Sequence, residues 1–245
     1  MDYRKYQLSV SEKLLYGSCY MGILLLFCYV FYDDLRFVLS GILILPFLLR
    51  RKSGDLADRR REKLSLEFKD FLLSFCASLK TGYSVENAIV EAGRDLTYVY
   101  GEKADMVTEC RKMEMQLKNN KLPEDLFTDF AARAGRDEMK DFAAIFAIAK
   151  RSGGNMSAII RNTTDIISEK IEVKREIQLL YAAKRMEQNI MNVVPVVIIG
   201  YVRVTTPGYF DRMYHNAFGM IVMTVCLVVY GFAFFLAQKI MDIEV

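Results

Sequence analysis

The chain has 245 residues, 53% hydrophobic and 26% charged, with a formal net charge of +3. The two classes are segregated along the sequence, which points to a membrane protein with a water-facing insert rather than one soluble globule. So small a net charge argues against a nucleic-acid binder. The five cysteines, Cys19, Cys28, Cys76, Cys110 and Cys226, are odd in number and include no Cys-x-x-Cys pair, and a single histidine, His215, offers little from which to build a metal centre.

Residues 1–13 form a leading segment with Arg4, Lys5 and Lys13. Residues 14–32 are an uncharged apolar run long enough to cross a bilayer. Its length, its Tyr and Phe content and the lack of a small-residue cleavage pattern make it a retained anchor rather than a signal peptide. Asp33 and Asp34 turn the chain. The second apolar run, 35–49, is short and spans only if Arg36 and Arg50 snorkel at its ends; a re-entrant or interfacial segment is the other reading. Arg50 to Lys63 then reads RRKSGDLADRRREK. Cations beside a membrane helix place this segment in the cytoplasm. Arg59, Arg60 and Arg61 within it are candidates to touch anionic lipid or an acidic partner.

Residues 50–188 read as a cytoplasmic run of helices. The first carries Leu64, Phe68, Phe71, Leu72, Phe75 and Leu79 at three- and four-residue steps, an apolar stripe. Gly82 stops it, and Ser84 caps a second helix with Val85, Ala88, Ile89 and Ala92 on one face. A third is expected from about Glu102 to Asn119, with Met106, Cys110, Met113 and Leu117 in register. Pro123 opens a fourth, which ends at Gly135, and a fifth carries Phe142, Ile145, Phe146 and Ala149. The sixth, capped by Asn155, is expected to bury Ile159, Ile160, Thr163, Ile166, Ile167, Ile171, Ile177, Leu180 and Tyr181, with the stem of Lys174 covering a gap. Stacked as helical hairpins these predict an antiparallel six-helix bundle in an all-α protein.

The sixth helix has no break before residues 189–205, which are apolar and contain Pro195. One helix over Asn155 to Val204 would be about 75 Å long, against about 30 Å of bilayer core, so part stands in water and part in lipid. Residues 206–216 read as an external loop, 217–237 as a further spanning helix and 238–245 as a cytoplasmic tail. The cations concentrate on one side of this four-span arrangement, which puts both termini and the bundle in the cytoplasm of a cell-membrane protein.

No nucleotide loop, metalloprotease motif or nucleophile elbow occurs, so no catalytic, cofactor-binding or metal residue is assigned. The small-residue turn Ser152 to Asn155 reads as a plain turn. Glu91, Asp95, Glu109, Glu114, Asp137 and Glu138 fall at surface positions of the expected helices. Of these, Glu91, Asp95, Asp137 and Glu138 join Arg59, Arg60 and Arg61 as candidate partner-binding residues. The spans hold almost no ionisable groups, which counts against a small transporter or channel; a membrane-tethered adaptor is the other alternative to a scaffold.

Leu79-Lys80-Thr81-Gly82-Tyr83-Ser84-Val85-Glu86-Asn87-Ala88 resembles the helix–Gly–helix–Ala signature of the type II secretion F-domain family, and Ser152-Gly153-Gly154-Asn155-Met156 its second turn. Pro207-Gly208-Tyr209 and the ending Lys239 to Val245 resemble the TadB-like branch from Tad/Flp pilus assembly. The resemblance covers about Leu64 to Val245 and includes one F domain where larger relatives have two. It implies an inner-membrane platform, not an enzyme and without cofactors, that couples a cytoplasmic secretion or pilus ATPase to the extraction of pilin subunits. It further implies pairing with a sister protein or with itself; no nucleic-acid partner is expected, from the small net charge.

Overall fold

Apolar residues at three- and four-residue spacing give the first long helix its buried face. In the structure, a computed structural model that describes residues 3, 14–15, 17–18, 20–22, 45–151, 156–206 and 217–241, this helix is α1, Leu45–Lys80. It is continuous through the basic segment, so Arg50 to Lys63 is helical rather than a linker. Leu64, Phe68, Phe71, Leu72 and Phe75 are all fully buried. The helix ends in a Schellman turn: Gly82 takes φ +93°, and the Tyr83 N–H donates to the Ser78 carbonyl at 3.2 Å. Ser84 then caps α2, Val85–Tyr100, its Oγ accepting from the Asn87 N–H at 3.3 Å.

The following helices are α3, Asp105–Lys118; α4, Pro123–Ala134; and α5, Asp137–Arg151. The third is shorter than the sequence suggests, because Gly101 at φ +79° closes α2 and the chain needs residues to turn before Asp105. Pro123 opens α4 and Gly135, left-handed at φ 68°, closes it. Two longer helices follow, α6, Met156–Thr205, and α7, Ala217–Met241, and the described residues among 14–22 are helical as well. Among the described residues every regular element is helical and there is no strand. The turn 152–155, the loop 207–216 with His215, Cys19, Cys28 and most of the two N-terminal apolar runs lie outside the described residues.

The chain divides into two compact units, Met1–Gln7 with Lys52–Arg175, and Leu8–Arg51 with Glu176–Val245. In the first, phenylalanines from α1, α4 and α5 form the core. Phe127 lies 4.7 Å from Phe146 and 5.1 Å from Phe142, while Phe68 is 5.7 Å from both Phe130 and Phe142. Tilted and edge-on ring pairs at these separations add to the area the rings bury. The start of α6 packs here through Ile160, Thr163, Thr164, Ile167 and Ile171. That face is narrower than the sequence implied: Ile166 and Leu180 are 65% and 68% exposed, because their register places them off the line through Ile160, Ile167 and Ile171. Lys174, half-buried, ends in an ion pair with Glu138 at 3.0 Å.

In the second unit, the latter part of α6 exposes Ile190, Met191, Val193, Val194, Val197 and Ile198. Among the described residues α6 alone is long and apolar enough to cross a membrane; α7 carries a shorter apolar stretch, Thr224–Ala237. Pro195 lies inside α6 and removes the N–H that would bond the Met191 carbonyl. The Tyr230 hydroxyl of α7 donates to the Asn192 carbonyl, one residue from that gap. A neighbouring side chain of this kind is what lets a membrane helix carry proline.

In the first unit α2 and α3 approach closely at Gly93, where an added Cβ would stand 2.8 Å from the Cys110 Cβ. Overpacking of this kind costs about 1–3 kcal/mol. Gly93→Ala is therefore expected to lower the unfolding temperature of the purified chain, measured by circular dichroism, whereas Gly54→Ala, with nothing within 4 Å, is expected to leave it unchanged or raise it.

Candidate functional site

Three glutamates, Glu67, Glu109 and Glu138, are buried within the helical unit. Glu67 lies three residues after Leu64 and four before Phe71 on α1, and its side chain is fully buried. Its Oε2 accepts the Met106 N–H at 2.8 Å. Ala104, at the N-cap of α3, has no side-chain hydrogen bond of its own, so α1 supplies the missing acceptor. Lys63, 3.8 Å away, is the nearest cation. Burial pushes the Glu67 carboxyl above its ordinary 4.5, against the Met106 N–H and Lys63.

Glu109, on α3, is also fully buried and is the centre of a tighter cluster. Its Oε1 accepts from Lys112 at 2.7 Å and from the Tyr3 hydroxyl at 2.8 Å, and Arg133 of α4 lies 2.7 Å from Oε2. Burial works to raise its pKa, but Lys112, the Tyr3 hydroxyl and Arg133 together hold it below the ordinary carboxyl value. Tyr3 is itself buried, and that burial, with the Glu109 charge beside it, raises its phenol well above the usual range. Glu138 is the third, buried at the start of α5 and paired with Lys174. Burial raises its pKa, while its own backbone N–H and Lys174 lower it, and the balance falls below the ordinary value.

Glu109 and Glu138 therefore correct the expectation of a solvated acidic face. Their register places them on the buried side, and cations from other turns or helices compensate them. The candidate partner-binding residues separate accordingly. Arg60 is bound in both directions: Asp105 accepts from its Nε at 2.8 Å and its Nη2 at 2.5 Å, and its guanidinium carbon lies 5.1 Å from the centre of the Tyr3 ring. Arg61 pairs with Asp58, and Arg59 is exposed. Asp137 is exposed and pairs with Lys140 at 2.9 Å. The neighbouring Arg136 donates to the Asp58 carbonyl at 3.4 Å, which brings Arg59 and Asp137 to one edge. Glu91 pairs with Arg94 at 3.2 Å, and Asp95 accepts from the Ser74 hydroxyl. Ser74 is about 24 Å along α1 from Asp58, so Glu91 and Asp95 belong to a different place. The seven residues make an edge at Arg59 and Asp137, a second spot at Glu91 and Asp95, and an interior network holding Arg60 and Glu138.

The groups missed from the sequence are Tyr3, Glu67, Lys112 and Arg133. Glu67 had a signal, a carboxylate in register with an apolar stripe. Tyr3 had none, since its partners are far away in the chain.

A charged helical body with an internal polar network is joined, along α6, to a stretch long and apolar enough to cross a membrane. The family model described as "Type II secretion system (T2SS), protein F" matches residues 71–202, more than half of the chain, and the chain belongs to that family. No curated protein and no solved structure matches it. Members of the family are inner-membrane platform proteins rather than enzymes and generally work with secretion ATPases and other platform components.

Opposite shifts give opposite pH behaviour. Glu67, raised, contributes stability that is present below its unfolded pKa and is lost as pH rises through its higher folded value. Glu109, lowered, contributes stability that is present above its unfolded pKa and is lost as pH falls through its lower folded value. Glu67→Gln, which can still accept the Met106 N–H, is expected to raise the unfolding temperature at pH 7 and to have little effect near pH 4. Glu109→Gln is expected to lower it at pH 7 and to reduce the loss of stability on acidification below about pH 4. Thermal melts of both variants across that range check the signs.

Proposed function

We propose that this chain is the membrane platform of a Tad/Flp pilus or type II secretion-like machine, where it couples a cytoplasmic assembly ATPase to the extraction of pilin subunits. The observation that carries this reading is α6, one helix that begins in the Phe-centred unit and ends in an apolar stretch. A stiff element with one end in each solvent suits a part that passes displacement from a cytoplasmic motor to subunits held in lipid. The family match over residues 71–202 covers most of that helix.

In this reading the Lys52–Arg175 unit, folded as the antiparallel six-helix bundle, faces the cytoplasm, and four spans anchor the chain. The exposed edge with Arg59 and Asp137, together with Glu91 and Asp95, receives the ATPase or a sister platform protein. Arg60 and Glu138 hold the unit together beneath that surface. The burial of Tyr3 among α1, α3 and α4 supports an amino terminus on the same side of the membrane as the unit. A transporter or channel is less well supported, because the described apolar stretches of α6 and α7 carry few ionisable side chains with which to line a path.

A flexible glycine linker inserted after Met186 is expected to abolish assembly of the pilus or secretion of its substrate while leaving membrane insertion and ATPase co-purification intact. Unchanged assembly would remove the coupling role of α6. Loss of ATPase co-purification would instead place the ATPase contact on α6 itself.

A further inference from the structure

The surface of the helical unit is indented between α2 and α3. The groove there holds about 280 Å³, room for one large side chain. Its floor lies where Gly93 has no side chain and the Cys110 Cβ comes within 2.8 Å of where one would begin. Val90 and Tyr98 line the α2 wall. Arg94 and Arg111 are the residues next after Gly93 and Cys110, so a guanidinium flanks the floor from each helix. Tyr98, one turn on from Arg94, is 91% exposed, and Val99 beside it is exposed as well. No other large apolar side chain among the described residues is as exposed as Tyr98.

We propose that this groove docks an acidic helical segment of another protein, which seats one apolar side chain on the Gly93 floor and sets carboxylates against Arg94 and Arg111. Charge complementarity selects the partner. Arg111 stands 3.7 Å from Glu102, beyond hydrogen-bond reach, so its donors remain open to a new acceptor. Arg94 pairs with Glu91 on its own helix at 3.2 Å, an exposed pair. Pairs of this kind contribute little, so a partner's carboxylate can take the place of Glu91. Glu114, the acid that lines the groove, is held by Lys118 of its own helix at 2.9 Å, which leaves the two guanidiniums to set the sign. A basic segment would be repelled by them, and an uncharged one would cover them without an acceptor. Tyrosine and arginine are also the side chains that most often dominate protein interfaces, and here one Tyr and two Arg surround a small apolar floor. A groove between two helices suits a helix whose apolar residues recur at turn spacing.

The inference stands on α2 and α3 alone and holds or fails apart from the platform role. The purified full chain in detergent is panned against a phage library of randomised helical peptides. Enriched peptides are expected to carry Glu or Asp one turn from a large apolar residue. A synthetic copy of the leading peptide is then titrated by fluorescence anisotropy. It is expected to bind the double variant Arg94→Ala/Arg111→Ala at least about tenfold more weakly than wild type, and Tyr98→Ala likewise. Its affinity for wild type is expected to fall as salt is raised. All three side chains are exposed, so circular-dichroism melts of the variants are expected to match wild type. Enrichment of basic or uncharged peptides, or of none, would overturn the proposal, as would equal binding by wild type and Tyr98→Ala. Sedimentation velocity covers the remaining occupant. A wild type that self-associates, beside an arginine variant that does not, would put a second copy in the groove and overturn the separate acidic partner.

Discussion

A helix that passes from water into lipid must keep its backbone hydrogen bonds closed across the boundary, since hydrocarbon offers no partner for an open N–H or C=O. The rest of this molecule is arranged around that constraint on α6. Over Met156 to Arg175 the helix can spend side chains on packing, and Ile160, Thr164, Ile167 and Ile171 do so. Beyond that its apolar residues are exposed along their length, an arrangement that water disfavours and lipid accepts. Pro195 is the one interruption to the ladder, and the Tyr230 hydroxyl of α7 bonds a carbonyl beside it. The family's platform role is consistent with a chain whose longest element runs from a packed helical face into a stretch apolar enough to cross a membrane.

The Phe-centred unit is held by two different devices. Rings from α1, α4 and α5 fill the centre, and interdigitated aromatics resist rearrangement because any shift loses contact on several sides. Around this core, buried carboxylates tie helices that the rings do not reach. Glu67 closes the start of α3 from α1, Glu109 joins α3 to α4, and Glu138 joins α5 to α6. Buried charges are costly and weak as a source of net stability, but they fail sharply if one partner is missing. They therefore suit the fixing of helix register more than the raising of stability.

The helical pattern was legible because it depends on local chemistry. Gly82, Ser84, Pro123 and Gly135 mark helix ends through backbone requirements that residues nearby fully determine. The stripe Leu64 to Phe75 likewise follows from spacing alone. The polar sites were less legible, because whether an acid is solvated depends on which helix covers it. Glu109 and Glu138 look like ordinary surface acids until α4 and α6 supply Arg133 and Lys174. The reach of the packed face on α6 was overestimated for a related reason. Ile166 and Leu180 are apolar enough to extend the stripe, yet both are exposed, off the line through Ile160 and Ile171. Tyr3 is the extreme case, since nothing adjacent to it in sequence indicates a partner over a hundred residues away.

The continuity of α6 is the central claim, and a distance across its middle tests it most directly. Spin labels at Glu169 and Ile190, both on exposed positions, are introduced into a cysteine-free full chain in nanodiscs. One unbroken helix predicts a single narrow distribution near 32 Å, from 21 residues at about 1.5 Å each. A broad distribution, or one centred well below 25 Å, would show that the helix is broken between its packed and its apolar parts, contradicting the account.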